Sequence, residues 1–262
     1  MKTKKDGTEK FASKHPFIFQ MMVFIVAILL VVLFSLFAQT VGLVDTEAEY
    51  AGIVTGRLMA ASLLFLIFIR CFNLKKQFSG FVIMLPTLLF AAWNLFRHFL
   101  TKGEMADNYV YAIMLGLAPA VFEEVIFRGI FIHVLKASGK KPLAVLLISA
   151  LFFGISHMSN TNGSLINMLI QVISSIVVGL VFGAIYIKTE DIVSVIIAHA
   201  TIDICNRMFP SGNVIRPFVE LTGFFVLLAV ETWYAFWLIS RESHSSDGRH
   251  IHNSANGSDP SI

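Results

Sequence analysis

The chain has 262 residues, of which 56% are hydrophobic and 14% charged, with a mean hydropathy of +0.76 and a formal net charge of +3. Soluble domains carry about 25% charged residues, so this composition excludes an ordinary water-soluble domain, and no polar block is large enough to form a second one. The mild basic excess lies in loops and at the amino end, where it carries topology information and not a nucleic-acid footprint.

A lysine-rich stretch, 1–16, precedes the first apolar run, "PFIFQMMVFIVAILLVVLFSLFAQTVGLV". That run is longer than a signal-peptide core and no small-x-small cleavage site follows, so it reads as a retained helix. At about 20 apolar residues per crossing, helices are predicted at 17–40, 51–72, 80–100, 109–134, 142–158, 165–187, 191–208 and 216–240. The fold class is therefore all-α: a polytopic membrane helix bundle of about eight transmembrane helices. Its parts are a cytoplasmic basic amino end (1–16), amino-terminal transmembrane helices (17–108), a core richer in polar residues (109–208), a last helix (209–240) and a polar tail (241–262) whose composition predicts disorder.

Lys and Arg are retained on the cytoplasmic side. Lys2, Lys4, Lys5, Lys10 and Lys14 precede the first helix, Lys75 and Lys76 follow the second, Lys136, Lys140 and Lys141 the fourth, and Lys188 the sixth. The acidic loop with Asp45, Glu47 and Glu49 and the uncharged loop 160–164 then lie outside, and both termini are expected in the cytoplasm. Lys102, Arg207 and Arg216 run against this pattern.

Cys71 and Cys205 belong to no metal or redox pattern and read as packing residues. His244, His250 and His252 read as parts of a solvated tail. Gly179 and Gly183 form a small-xxx-small step suited to close helix packing.

An ionisable group near the bilayer centre costs about 2.5–3.5 kcal/mol on insertion scales, so it needs a partner or a task. Three clusters pose that question. In "LGLAPAVFEEVIFRGIF", Glu124 and Arg128 stand four apart on one helix face and can pair, whereas Glu123 points about 100° away. Two adjacent carboxylates in a low dielectric resist joint ionisation, which is the setting of a general base or acid. Pro119 lacks the N–H that would bond the carbonyl of Leu115, so a kink is expected ahead of the pair. In "FFGISHMSN", His157 follows Phe153 by one turn; in "IIAHATIDICN", His199 and Asp203 share a face, and the carboxylate can orient the imidazole. At about 1.5 Å per residue from the nearest cytoplasmic charges, Glu123, His157 and His199 lie roughly 20, 24 and 13 Å deep, compatible with one site between tilted helices.

The motifs "EEVIFR", "FGISH" and "HATID", in this order and on separate predicted helices, resemble the signature of the CAAX protease and bacteriocin-processing (Abi) family of intramembrane proteases. The resemblance covers Glu123 to Asp203 and makes 109–208 the catalytic core. It implies hydrolysis of a peptide bond in a membrane-associated peptide or protein by a water held in the membrane. Glu123 would activate the water, His157 would position it, His199 and Asp203 would stabilise the oxyanion, and Glu124 and Arg128 would be a supporting ion pair. An ionised Asp cannot donate to an oxyanion, so an orienting role on His199 suits Asp203 better. No metal is assigned. Two His and one or two Glu satisfy the ligand count of a catalytic zinc site, so the candidates for Zn²⁺ are Glu123, His157 and His199, and the ligand count alone leaves the metal open.

Ser156 beside His157 raises a serine mechanism, but no G-x-S-G pattern is present and adjacent side chains diverge on a helix. A second reading is a non-catalytic membrane scaffold or bacteriocin-immunity factor that retains the fold. A third is a transporter path through Arg57, Asn94, Arg97, Glu220 and Glu231, which are scattered and lie partly at helix ends where snorkelling suffices. The expected partners are membrane lipid and a peptide or protein substrate, with no nucleic acid, and the short loops suggest a bacterial plasma membrane.

Overall fold

A computed structural model describes residues 7–42, 49–158, 164–212 and 217–255. Every regular element in them is helical. A short helix α1 (Gly7–Lys14) leads into α2 (Pro16–Thr40) and α3 (Glu49–Ile67). After a loop with two single 3₁₀ turns come α4 (Phe81–Leu100) and α5 (Tyr109–Ala137). The rest is α6 (Pro142–Ile155), α7 (Leu165–Thr189), α8 (Ile192–Met208) and α9 (Pro217–Ala255). Each of the eight predicted helices is present. Helices α2, α4, α5 and α7 and residues Phe218–Arg241 of α9 are long and apolar enough to cross a membrane, and Ala51–Ile67 and Pro142–Ile155 are shorter apolar helices. The chain is an integral membrane helix bundle.

One correction concerns the carboxy end. Residues 241–255 continue α9 as helix, where their composition predicts disorder. Extending an existing helix requires no new nucleus, and no proline interrupts the stretch. Lys2, Lys4, Lys5, the loops 43–48, 159–163 and 213–216, and residues 256–262 lie outside the described residues.

The burial pattern inverts that of a soluble bundle. On α6, Leu143, Leu147, Leu151 and Ile155 form an exposed i, i+4 stripe, while Val145, Leu146, Ser149, Ala150 and Phe153 are buried. Association of such helices rests on close packing and interhelical hydrogen bonds more than on expulsion of water. The small-xxx-small step serves this purpose: a Cβ on Gly179 would stand 3.0 Å from Cα of Ala150 on α6, and one on Gly183 2.9 Å from Leu146.

Hydrogen bonds tie the loops into two ends. At one, Glu190 accepts from Lys76 Nζ and Asn73 Nδ2, both at 2.9 Å, and Lys136 Nζ lies 3.9 Å away. Lys140 stands over the Phe17 ring at 5.7 Å, and Lys188 and Arg241 over Trp237 at 5.8 and 4.3 Å, so α2 starts and the apolar part of α9 finishes at this same end. At the other end, Ala106 N–H donates to Met208 O and Gly212 N–H to Thr101 Oγ1. Among the described residues most lysines thus lie at one end, whereas Lys102 and Arg207 lie by the loops of the opposite one, against the loop-charge pattern.

Candidate active site

Helices α5 and α8 cross at Gly116, where a Cβ would stand only 2.7 Å from the backbone nitrogen of Ile204. This approach brings Glu123 and Glu124, two turns along α5, against His199 of α8. Asn108 caps the start of α5 by accepting from Tyr111 N–H. The start of α8 is held by Asp191, which accepts from Ser194 N–H and Oγ–H and from Gly80 N–H at the head of α4. Burial alone would push the Asp191 carboxyl up, but these hydrogen bonds outweigh it and hold the group below the usual carboxylate range.

Pro119 lies inside α5, but the departure from α geometry falls beyond it: Val125 to Ile132 form a π-helical stretch starting directly after Glu124. Such wider turns occur mostly as single insertions and often at functional sites. Glu124 and Arg128 still meet, with Nη1–H donating to Oε1 at 2.8 Å and both side chains fully enclosed. The guanidinium stacks 4.2 Å from the centre of the Phe153 ring and 5.5 Å from that of Phe182, so part of its positive charge faces aromatic π-density in place of water.

His199 resolves the role of the second glutamate. Its Nδ1 lies 2.7 Å from Glu124 Oε1. A carboxylate only accepts, so this nitrogen carries a proton, and Nε2 faces Glu123 Oε2 at 4.0 Å. Asp203 Oδ2 lies 3.8 Å from Nε2, the other nitrogen, and the anchoring contact belongs to Glu124. One helical turn brings Asp203 near the ring but cannot reveal which nitrogen it meets.

His157 is arranged in the same sense. Helix α6 ends at Ile155 and the histidine sits in the following turn, where Nδ1 contacts Phe153 O at 2.8 Å. A carbonyl also only accepts, so Nδ1–H donates and Nε2 points the other way. Because the helix has ended, Ser156 and His157 do not diverge: Ser156 Oγ lies 3.3 Å from Nδ1. That nitrogen is already committed, however, and Ser156 Oγ–H donates to Phe153 O at 2.7 Å.

The outcome is a convergence on Glu123. Its Oε2 lies 3.6 Å from Nε2 of His157 and 4.0 Å from Nε2 of His199. It has no hydrogen-bond partner among the described residues, although it is buried. The six residues singled out in the sequence are thus brought together from α5, the turn after α6, and α8. One other was not legible. Phe182, on α7, packs its ring 5.4 Å from that of His199, but the chain has 25 phenylalanines and nothing in the sequence distinguishes this one. Among the described residues, no group of three or more His, Cys, Asp or Glu side chains is arranged to hold a metal ion.

Residues 105–205 match the model of a family described as type II CAAX prenyl endopeptidase Rce1-like. The matched segment contains all three motifs, which bears out the resemblance read from them and supports, at family level, a protease acting on a peptide or protein at the membrane. Neither a curated protein nor a solved structure matches the chain.

Proposed function

We propose that this chain is an intramembrane endopeptidase that hydrolyses a peptide bond of a membrane-associated substrate with a water activated by Glu123. The observation that carries the proposal is the meeting of Glu123 Oε2 with the Nε2 atoms of His157 and His199, at 3.6 and 4.0 Å. Polar atoms separated by more than about 3.5 Å are commonly bridged by water, and a water there would donate its two protons to Glu123 Oε2 and His157 Nε2 with a lone pair directed outward.

In the proposed reaction Glu123 takes a proton as the water oxygen bonds to the carbonyl carbon, and returns it to the amine when the C–N bond breaks. His157, fixed through Nδ1, positions the water. His199, protonated on both nitrogens with the Glu124 carboxylate against Nδ1, donates Nε2–H to the oxyanion and keeps that proton throughout. Asp203 accepts a hydrogen bond from a substrate N–H. Glu124 and Arg128 keep His199 in place. No step is routed through a metal; Glu123, His157 and His199 are the donors that would hold Zn²⁺ if one were required. The charge bias supports placing the lysine-bearing end, with both termini, in the cytoplasm, and the short loops support a bacterial plasma membrane.

The test compares, by mass spectrometry, peptides released from host cells carrying wild type or Glu123→Ala at equal membrane levels. Peptides seen only with wild type support the proposal, and their ends define specificity. Identical peptide sets with a surviving phenotype would replace it by a scaffold or immunity role. Loss of the released peptides on chelation and recovery with Zn²⁺ would replace the metal-free form.

A further inference from the structure

The lysine-bearing end contains two adjoining cavities that the hydrolytic site does not use. One, of about 520 Å³, lies between the α3–α4 loop and the ends of α5 and α7, and its wall includes Arg70, Lys75, His133 and Lys136. The other, of about 560 Å³, lies between α1, α2 and the ends of α3 and α5, and its largely apolar wall combines Phe19, Leu66, Phe68 and Val134 with Glu9 and Ser13 of α1. Arg70, Cys71 and His133 belong to both walls. Each is within the size range of small-ligand pockets, about 300–1,000 Å³.

We propose that this pair of cavities is a binding site for one anionic phospholipid of the adjacent leaflet, its phosphate held by Arg70 and Lys75 and one acyl chain lying in the apolar cavity. Charge favours an anion. Of the acidic groups at the two cavities, Glu190 is already held by Lys76 and Asn73, and Glu9 lines the second cavity and not the first. The side chains of Arg70 and Lys75 are exposed and carry no hydrogen bond or ion pair within the described residues. The largely apolar cavity favours a lipid over a soluble phosphate or an acidic peptide: it adjoins the basic cavity, and its wall includes Leu66 and Ile67, which are 64% and 60% exposed. Basic pockets between helices at a membrane boundary are the recurrent recognition element for anionic headgroups.

The experiment is native mass spectrometry of the full-length chain in detergent with phosphatidylglycerol, phosphatidylcholine or inorganic phosphate. One retained phosphatidylglycerol per chain is expected, with phosphatidylcholine held about 10-fold less well and inorganic phosphate at millimolar concentration unable to displace the lipid. Arg70→Gln with Lys75→Gln should weaken retention about 10-fold or more. Lys140→Gln with Lys141→Gln removes the same charge at the same end outside the cavities and should leave retention unchanged. Ala137→Trp, which fills the mouth of the apolar cavity, should weaken the lipid without affecting folding at this surface position. Equal loss from both charge pairs would reduce the effect to general surface attraction, and displacement by phosphate would make this a soluble-anion site; either result overturns the proposal. Because the readout is lipid retention, it is independent of whether the chain is a protease.

Discussion

Glu124 Oε1 lies 2.7 Å from Nδ1 of His199, in a position where neither side chain reaches solvent, and the same oxygen receives Nη1–H of Arg128 at 2.8 Å. One carboxylate thus joins a buried cation to an imidazole on another helix. Removing only one partner of a buried ion pair leaves an uncompensated charge and typically costs about 3–5 kcal/mol, whereas replacing both with apolar groups of similar volume is often neutral. Glu124→Leu should therefore lower the unfolding temperature in detergent sharply, and Glu124→Leu with Arg128→Met should restore most of it. Activity should stay lost in the double variant, because His199 no longer has its anchor. A stable, active double variant would mean that the pair serves the fold alone.

Asp203 provides a separate test of what holds the imidazole. If Glu124 and not Asp203 holds the imidazole, Asp203→Asn leaves His199 in place and retains an oxygen that can accept from substrate. Peptide release is expected to remain within about 10-fold of wild type, whereas loss of an orienting partner or general base typically costs about 10²–10⁴. A loss on that larger scale in a folded Asp203→Asn protein would restore the orienting role.

Helix count and approximate bounds were legible because lipid demands long apolar runs and charged loops punctuate them. The site residues were legible for a related reason: Glu123, Glu124, Arg128, His157, His199 and Asp203 are costly in such runs and draw attention to themselves. What the residues do to one another was not. Helical periodicity put Asp203 beside His199, yet the distance from Glu124 to His199 crosses 75 positions of sequence and depends on the π turn after Glu124 and on the close passage of α8 at Gly116. Phe182 carries no sequence signal, because its role is purely positional.

The crossing at Gly116 can be probed directly. A methyl group there would press on the backbone of Ile204, which cannot rotate away as a side chain could. Overpacking of this kind costs about 1–3 kcal/mol, and a displacement near 1 Å between reacting groups can cost about 100-fold in rate. Gly116→Ala should therefore reduce peptide release by at least about 10-fold at an unchanged membrane level, with a lower unfolding temperature. Full activity would show that the register of α5 and α8 tolerates the shift and that the close approach does not set the site.

Asp191 links the stability of α8 to pH. Its carboxylate receives Ser194 Oγ–H at 2.6 Å, Ser194 N–H at 3.0 Å and Gly80 N–H at 2.8 Å, and it is held below the usual carboxylate range. A group whose folded pKa is depressed contributes stability that is complete above its unfolded pKa, about 3.9 for Asp, and is lost as pH falls through the folded value. Asp191→Ala should cost about 1–3 kcal/mol at pH 7, through the lost cap and the lost tie to α4. The gap in unfolding temperature between wild type and variant should then narrow as pH falls below about 4, because acid removes from wild type the charge that the variant already lacks. Peptide release should fall with it, since α8 carries His199 two turns from this cap. A gap that stays constant down to pH 3 would mean that Asp191 holds α8 by shape and neutral hydrogen bonds, with no contribution from its charge.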